Sequence, residues 1–304
     1  MNNISTNIYI GFLFVLIIYI LLSFNNNCEN FEENIPIMNH TTFVNNIDTL
    51  MKINRQQFTN KIDKNKLTLE IGAYHSPIIN PKVHNNIYFL DVFDKNTLIE
   101  NSKNNPLVNP DTIVDVDYIW SGQKYDELII DKKFDQVISS HNIEHQPNLI
   151  KFFNNISSIL KPHGLVYIYI PDKRYCFDYF RGESDIIDIL SANIRQDDKP
   201  QISTILDFKV KHGHMDKTRY WNNDPGINNT NDLNHLITVY TEVNNIYNNN
   251  NYEYIDAHVW TFTPQSFVKN INLIYSMKLI DLNIIFCSDT EQDSLEFYAI
   301  LQKN

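Results

Sequence analysis

Apolar and polar positions alternate along the middle of the chain in a pattern that predicts buried strands separated by helices. Five apolar runs are each five to seven residues long, and polar or amphipathic segments separate them. The runs are 67–71, 87–91, 112–116, 134–139 and 164–170. Short runs of this kind are typical of strands that are buried on both faces. Strands that alternate with helices predict an open, doubly wound α/β fold with a mostly parallel sheet.

The carboxyl-terminal part of the chain departs from this alternation. The clearest helical pattern, at 148–161, still belongs to the alternating part. A later helix is predicted at 263–277, where Thr263 suits the N-cap and a proline follows at the first helical position. Two strand-like runs come after it, at 278–286 and 294–302. The sequence therefore predicts a Rossmann-like sheet of seven strands that ends in an antiparallel hairpin.

The amino-terminal segment differs from the rest in hydropathy. The 17 residues from Ile8 to Phe24 carry no charge. As a helix this segment spans roughly 25 Å at ~1.5 Å per residue, slightly less than a ~30 Å hydrocarbon core. A cleaved signal peptide is the alternative, but no small-x-small cleavage site follows and no Lys or Arg precedes the segment. A single-pass membrane anchor is expected, with the side of the membrane left open.

These patterns divide the chain into an anchor, a tether and one large domain. The anchor is assigned to 1–24 and a polar, Asn-rich tether to 25–40. The domain is assigned to 41–304. Within it, 172–262 fits no simple strand–helix alternation, and we interpret this region as an insertion that covers one edge of the sheet and the acceptor side.

Charge and cysteine usage exclude several classes of function. The net charge of −11 argues against a nucleic-acid partner, because phosphate backbones select basic surfaces. The three cysteines are far apart and contain no CxxC pair, so neither a disulfide framework nor a cysteine zinc site is predicted. His212 and His214 form a His-Gly-His sequence without a third ligand nearby. The sequence therefore predicts no metal site.

Polar side chains and a glycine stand where the predicted strands end. Ligands of open α/β sheets bind at the carboxyl ends of the strands. A glycine there lets the backbone approach a ligand closely, and a carboxylate there can accept hydrogen bonds from a ribose diol. The alternative for each acid is a solvated turn residue. The strand-end residues are Glu70, Gly72, Asp91, Asp117, Ser140 and His141.

Five ordered blocks of sequence resemble the class I S-adenosylmethionine-dependent methyltransferases. The blocks are "LEIGAYHSP", "DVDYIWSG", "FDQVISSHNIEHQPNL", "LKPHGLVYIYIPDKRYCFDYF" and "HVWTFTPQSF". They look most like a subgroup that accompanies bacterial glycan-assembly genes. The resemblance covers 67–171 and the terminal hairpin. One departure is that the E/D-x-G-x-G-x-G loop keeps only Glu70 and Gly72. A dehydrogenase would need G-x-G-x-x-G after the first strand, and the sequence lacks it.

The resemblance implies S-adenosylmethionine as the cofactor and a place for each strand-end residue around it. Glu70 and Gly72 would line the methionine and ribose end, and Asp91 would hold the ribose diol. Asp117, rather than Asp115, would lie near the adenine. Ser140 would lie beside the sulfonium, together with His141.

Methyl transfer to a hydroxyl is an in-line displacement that benefits from a general base. His141 is the best-placed candidate, and His258 is either a cap of the last helix or part of the acceptor pocket. His145 is expected to pack at the start of a helix. A metal site of Glu144 and His145 is not expected, because His141 stands where the resemblance would require a leading acid.

The segment after the fifth strand is the predicted acceptor site. Asp172, Lys173, Arg174 and Tyr175 could bind an anionic or sugar-like acceptor, with Arg174 acting through its bidentate fork. The alternative is an ion-paired loop that closes the insertion onto the sheet. The leading hypothesis is a membrane-tethered methyltransferase that acts at oxygen on a small or glycan-type acceptor. A catalytically silent binding module of the same fold is the alternative, motivated by the eroded glycine loop.

Overall fold

The computed structural model describes residues 50–103, 105–106, 108–248 and 254–304. The predicted anchor at 1–24 and the tether at 25–40 lie outside these residues. None of the helices in the described ranges is long and apolar enough to cross a membrane.

Eight strands of the described chain form one mixed sheet. Their order across the sheet is β1-β7-β8-β6-β5-β2-β3-β4. Strands β2 to β6 run parallel to one another, whereas β8 is antiparallel to both of its neighbours, β6 and β7. The strands are β1 (Met51–Lys52), β2 (Thr68–Ile71), β3 (Ile87–Asp91), β4 (Tyr118–Ile119), β5 (Phe134–Ser140), β6 (Leu160–Pro171), β7 (Leu282–Asp289) and β8 (Glu296–Lys303). The predicted α/β sheet with a terminal antiparallel hairpin is confirmed, but the sheet has eight strands and not the seven predicted.

Four of the five apolar runs form the strands predicted for them, and the run at 112–116 does not. A 3-10 turn occupies Pro110–Thr112, and the chain enters the sheet only at Tyr118. Ile113 is buried against Leu98 in a small cluster beneath the loops. Val114 is buried in another cluster with Phe89. The run is apolar because these side chains are buried, and a hydropathy pattern does not distinguish buried loop residues from a strand.

Nine α-helices connect and cover the strands in the described ranges. They are α1 (Arg55–Thr59), α2 (Lys95–Ser102), α3 (Tyr125–Leu128), α4 (Leu149–Ile159), α5 (Ile186–Arg195), α6 (Ile202–Val210), α7 (Lys217–Trp221), α8 (Leu233–Asn248) and α9 (Pro264–Ser276). The helices predicted at 148–161 and 263–277 are α4 and α9. Thr263 caps α9, as predicted, by accepting a hydrogen bond from the amide of Ser266 at 3.3 Å. Helices α5 to α8 belong to the insertion.

The sheet is buried on both faces, which explains the nearly continuous apolar runs. On one face, side chains such as Leu69 and Val137 pack in the same core as residues of α4 and α9. On the other face, Ile138 and Tyr169 pack in a second core with Phe58 of α1. With both faces covered, the ends of the strands are where polar groups of the sheet can reach a ligand.

Phe58 anchors α1 to the sheet and is 0% exposed. Its ring contacts the rings of Tyr169 and Tyr298, with centroids 4.9 and 4.8 Å away. We expect Phe58→Ala to lower the free energy of unfolding by about 3–5 kcal/mol, because the substitution leaves a cavity in a packed aromatic cluster. Urea unfolding of the full-length protein measures this loss. Phe93→Ala, at a side chain 45% exposed, is the matched control and should change stability by less than about 0.5 kcal/mol. Equal losses in the two variants would contradict the assignment.

Candidate active site

The register of three parallel strands brings three of the five predicted cofactor residues to one level of the sheet. Ile71 of β2 pairs with Leu90 of β3 and with Ser139 of β5. The next residue along each strand therefore lies at the carboxyl edge, beside its neighbours. These residues are Gly72, Asp91 and Ser140. These three strand-end residues therefore lie together in one corner, as the sequence predicted for them.

Gly72 makes the turn out of β2 with a backbone angle that suits glycine. Its φ of +70° lies in the left-handed region, where a side chain is strained. A Cβ at this position would lie 3.5 Å from Oδ1 of Asn142, which is an ordinary contact. The backbone angle, and not a lack of space, therefore requires glycine. His141 leaves β5 with φ +47°, so both turns at this corner use left-handed residues.

Asp91 presents a carboxylate oxygen at the end of β3. Its Oδ1 accepts hydrogen bonds from the amides of Val92 at 2.7 Å and Phe93 at 3.4 Å. Within the described ranges, no hydrogen bond is made to Oδ2. Burial raises the pKa of Asp91, although the two amides oppose this shift. Oδ2 can therefore accept a hydrogen bond from a ligand hydroxyl.

Glu70 is placed differently from its prediction at the methionine end of the cofactor. Its side chain is 1% exposed and accepts hydrogen bonds from the amides of Ile78 at 2.7 Å and Ile79 at 3.4 Å. Burial raises its pKa to about 7, against the lowering effect of those amides and of Arg55. The carboxyl group thus holds the loop after β2 in place, and its oxygens are directed at the chain's own backbone.

Asp117 lies at the start of β4 and not at the end of a strand, which corrects the prediction. The pairing of Leu90 with Tyr118 places Asp117 opposite Phe89, two residues before Asp91. Its Oδ2 accepts a hydrogen bond from the amide of Phe89 at 2.8 Å. The error follows from the run at 112–116, because a strand assigned there would end at Asp117.

His141 forms a side-chain pair with Glu296, which the sequence did not predict. Its Nε2 lies 2.7 Å from Oε2 of Glu296, the first residue of β8. Arg55 of α1 binds both oxygens of the same carboxylate, at 2.7 and 2.6 Å. Burial alone would raise the pKa of Glu296, but His141 and Arg55 outweigh it and lower the pKa to about 2. Glu296 is therefore ionised at neutral pH and fixes the imidazole of His141.

Glu144 is a second carboxylate that the sequence did not identify as part of the site. It is 1% exposed, and neither of its oxygens has a hydrogen-bond partner among the described residues. Oε1 lies 3.7 Å from Nδ1 of His141 and 3.9 Å from Nε2 of His145. Burial would lower the pKa of His141, but the hydrogen bond to Glu296 and the charge of Glu144 raise it overall.

His258 also faces Glu144, although 114 residues separate the two in sequence. One nitrogen or oxygen atom from each of Glu144, His145 and His258 lies within 4.8 Å of the others. Nδ1 of His258 lies 2.5 Å from Oδ2 of Asp178. Thr263 caps α9, so the capping alternative for His258 is wrong. The structure thus brings both predicted catalytic histidines to one buried carboxylate.

Asp172 and Arg174 of the predicted acceptor segment are engaged with each other. Asp172 is 0% exposed, and its Oδ2 accepts hydrogen bonds from Arg174 and from the hydroxyl of Thr290, each at 2.6 Å. Arg174 also lies 3.3 Å from Asp289. Burial would lower the pKa of Arg174, but Asp172 raises it overall. This geometry favours the ion-paired loop that the sequence left as an alternative.

Lys173 and Tyr175 are half-buried. Nζ of Lys173 donates to the carbonyl of Tyr179 at 3.2 Å. The ring of Tyr175 stacks on Trp221 with centroids 3.8 Å apart and planes 2° apart. Both residues belong to the insertion, so this stack joins the segment directly after β6 to α7.

A cavity of about 640 Å³ lies in the insertion and not at this corner. Residues of α5, α6 and the segment before α9 line it, among them Arg181, Asp188 and Trp260. None of the predicted cofactor residues or catalytic histidines belongs to its lining. The cavity is therefore separate from the strand-end corner.

A family model described as a methyltransferase domain matches residues 43–267. The chain belongs to this methyltransferase domain family. It is an S-adenosylmethionine-dependent methyltransferase, and S-adenosylmethionine is its cofactor. No curated protein matches the chain.

Several solved structures are similar to the methyltransferase at low identity. An S-adenosylmethionine-dependent methyltransferase of Methanosarcina mazei is 13% identical, with 83% of this chain and 99% of that chain covered and a TM-score of 0.39. The CcbJ methyltransferase of Streptomyces caelestis is 10% identical, with 81% and 87% covered and a TM-score of 0.39. A candidate zinc-dependent alcohol dehydrogenase of Rhodobacter sphaeroides is 11% identical, with 85% and 93% covered and a TM-score of 0.42. The family assignment rests on the family model and not on these likenesses.

The residues at the corner fit the cofactor of this family. Oδ2 of Asp91 is a hydrogen-bond acceptor of the kind that a ribose diol requires. Gly72 presents backbone without a side chain, and the hydroxyl of Ser140 lies at the same level of the sheet. The donor and acceptor chemistry of the three groups agrees with an adenosyl ligand.

The buried carboxyl of Glu70 should make the stability of the methyltransferase depend on pH. Because burial raises its pKa from 4.5 to about 7, the folded state binds more protons than the unfolded state between these values. Stability conferred by the protonated form is therefore lost as the pH rises through this window. Glu70→Gln keeps an acceptor for Ile78 and removes the titration, so its stability relative to the wild type should rise by about 3 kcal/mol from pH 4.5 to 7. Urea unfolding across this range measures the difference, and parallel curves for the two proteins would contradict the assignment.

Proposed function

We propose that the methyltransferase is membrane-tethered and transfers a methyl group to a hydroxyl of a small or glycan-type acceptor. The choice of oxygen rests on His141. An imidazole held by a carboxylate is the usual base for removing a hydroxyl proton. The glycan-type acceptor is supported by the resemblance of the five sequence blocks to a subgroup that accompanies glycan-assembly genes. The tether is supported by the uncharged stretch from Ile8 to Phe24.

The pair of His141 and Glu296 is the observation that carries this proposal. An ionised carboxylate can only accept hydrogen bonds, so the proton of the neutral imidazole resides on Nε2, which faces Glu296. Nδ1 is then the basic nitrogen. The side chain of His141 is 35% exposed, so an acceptor hydroxyl can approach it. Glu296 and Arg55 keep the ring in one orientation while a proton passes to Nδ1.

The three residues at the strand ends are proposed to hold the cofactor beside this base. When bound, S-adenosylmethionine supplies a methyl group on a positively charged sulfur. Asp91 accepts hydrogen bonds from the ribose diol through Oδ2, and Gly72 allows the backbone to approach. Ser140 precedes His141, so the cofactor corner and the base are adjacent in the chain as well as in space.

Asp91→Ala should weaken cofactor binding at least tenfold, because the variant removes the acceptor proposed for the ribose diol. Calorimetric titration of the purified full-length protein with S-adenosylmethionine and with S-adenosylhomocysteine measures the effect. Asp198→Ala, at an exposed acid of the insertion, is the matched control and should bind both ligands as the wild type does. Unchanged affinity in Asp91→Ala would remove Asp91 from the cofactor site.

His141→Asn should lower kcat by about 10²- to 10⁴-fold and leave the affinity for S-adenosylmethionine within about twofold of the wild type. Asparagine tolerates the left-handed backbone of position 141, so the substitution removes the base and keeps the turn. The measurement is methyl transfer to a panel of hydroxylated acceptors, including lipid-linked and free glycans, followed by mass spectrometry.

His235→Ala, at the start of α8, is the control for loss of an imidazole elsewhere and should retain wild-type turnover. Full activity in His141→Asn would eliminate His141 as the base. Cofactor binding by the wild type without turnover of any acceptor would instead favour the catalytically silent module.

A further inference from the structure

We propose that Glu144, His145 and His258 bind a divalent transition-metal ion. None of the three is a proposed cofactor residue, and the site reverses the expectation from the sequence that the chain has no metal site. The inference concerns metal binding and does not depend on which acceptor is methylated.

Glu144 carries a buried carboxylate. It is 1% exposed, and neither oxygen has a hydrogen-bond partner in the described part of the chain. A buried carboxylate without hydrogen bonds costs several kcal/mol unless a cation compensates it. Nearly all buried polar groups in native proteins have a partner. Glu144 therefore points to a ligand that is bound at this place.

The spacing of the ligand atoms also favours a shared ion. Oε1 of Glu144 lies 3.9 Å from Nε2 of His145, and the nearest atoms of the three residues all lie within 4.8 Å of one another. These separations are too long for hydrogen bonds, which need about 2.7–3.2 Å. Two ligands that each lie about 2.0–2.2 Å from a common ion are roughly 3–4 Å apart. The cluster is thus close to the size that a shared ion requires.

A carboxylate fixes the far nitrogen of each histidine. Nδ1 of His145 lies 2.8 Å from Oδ1 of Asp256, and Nδ1 of His258 lies 2.5 Å from Oδ2 of Asp178. Each contact places the proton on Nδ1 and leaves Nε2 as a basic nitrogen for coordination. Metal-binding histidines almost always have such a second partner, which sets the tautomer and the orientation of the ring.

The backbone holds the two halves of the site together. The carbonyl of Glu144 accepts hydrogen bonds from the amides of Val259 at 2.6 Å and Trp260 at 3.2 Å. Nε1 of Trp260 also donates to the carbonyl of Gln146 at 2.6 Å. The segment that carries His258 is therefore fixed to the turn that carries Glu144 and His145, so the ligand set is preorganised.

The donor set indicates the class of ion. Two imidazoles and one carboxylate suit Zn²⁺, Fe²⁺ and related first-row ions, whereas Mg²⁺ and Ca²⁺ prefer oxygen ligands. The side chain of His145 is 28% exposed, so an ion can enter and a water or ligand can complete the coordination. Zn²⁺ is the probe of choice, with Mg²⁺ as the comparison.

The direct test is calorimetric titration of the full-length, chelator-treated protein with ZnCl₂ and with MgCl₂. We expect one Zn²⁺ per chain and much weaker binding of Mg²⁺. Glu144→Gln and His258→Ala should each weaken Zn²⁺ binding at least 100-fold, because each removes a ligand. The visible absorption of added Co²⁺ reports the same site through its ligand field.

Two control variants separate loss of the site from loss of any acid or imidazole. Glu100→Gln changes an exposed acid of α2. His84→Ala changes a histidine that precedes the amino end of β3, whereas the proposed ligands Glu144 and His145 follow the carboxyl end of β5. Both should bind Zn²⁺ as the wild type does. Thermal unfolding without metal shows that each variant is folded, and added Zn²⁺ should raise the melting temperature only where the three ligands are intact.

Asp256→Asn tests the role of the second partner. It keeps the size of the side chain but weakens the hold on Nδ1 of His145, and we expect a 10- to 100-fold loss of Zn²⁺ affinity. The proposal is overturned if the wild type binds no Zn²⁺, or if Glu144→Gln binds it as tightly as the wild type. The first outcome would mean that protonated imidazoles alone compensate Glu144.

Discussion

The carboxylate of Glu296 joins three parts of the chain on which the site depends. Arg55 of α1 binds both of its oxygens, and His141 at the end of β5 and Tyr298 within β8 contact it at 2.7 and 3.0 Å. This contact is possible because β8 is antiparallel to β6. The first residue of β8 is then opposite Pro171, the last residue of β6. A strand parallel to β6 at this place would begin beside the amino end of β6, and its first residue would not reach His141.

The hydropathy pattern predicted much of the sheet because the sheet is covered on both faces. Residues 166–170 of β6, for example, are buried and form an unbroken apolar run. The short edge strands β1 and β4 have two residues each and leave no such run. Their positions depend on pairing with β7 and β3, and the displacement of Asp117 to the start of β4 follows from that pairing. Local pattern determines buried strands, whereas edge strands depend on contacts that are distant in sequence.

The same distinction explains which site residues were found. Gly72, Asp91, Ser140 and His141 each follow or end a buried strand, so the level of the sheet alone brings them together. Glu296 and Asp178 act on His141 and His258 across 155 and 80 residues, and no local pattern marks such pairs. Glu144 was visible next to His145, but its significance lies in burial without a hydrogen bond, which only coordinates reveal. The position of a strand end can be inferred from sequence, and the state of a buried charge cannot.

The charge of a buried acid must be removed by protonation or compensated by nearby groups, and the acids of this region meet this requirement in different ways. Glu70 accepts hydrogen bonds from two backbone amides, and burial raises its pKa to about 7, so its carboxyl group is protonated more readily than an exposed one. Glu296 remains charged because it pairs with Arg55 and His141. Asp178 remains charged because it pairs with Arg181 and His258. Among the described residues, neither a backbone amide nor an arginine donates a hydrogen bond to the carboxylate of Glu144. The imidazoles near it stand beyond hydrogen-bond distance, and His145 directs its Nε2 toward it at 3.9 Å. An ion among Glu144, His145 and His258 would compensate Glu144 as the arginines compensate Glu296 and Asp178, and this shared requirement is the strongest physical reason to look for one.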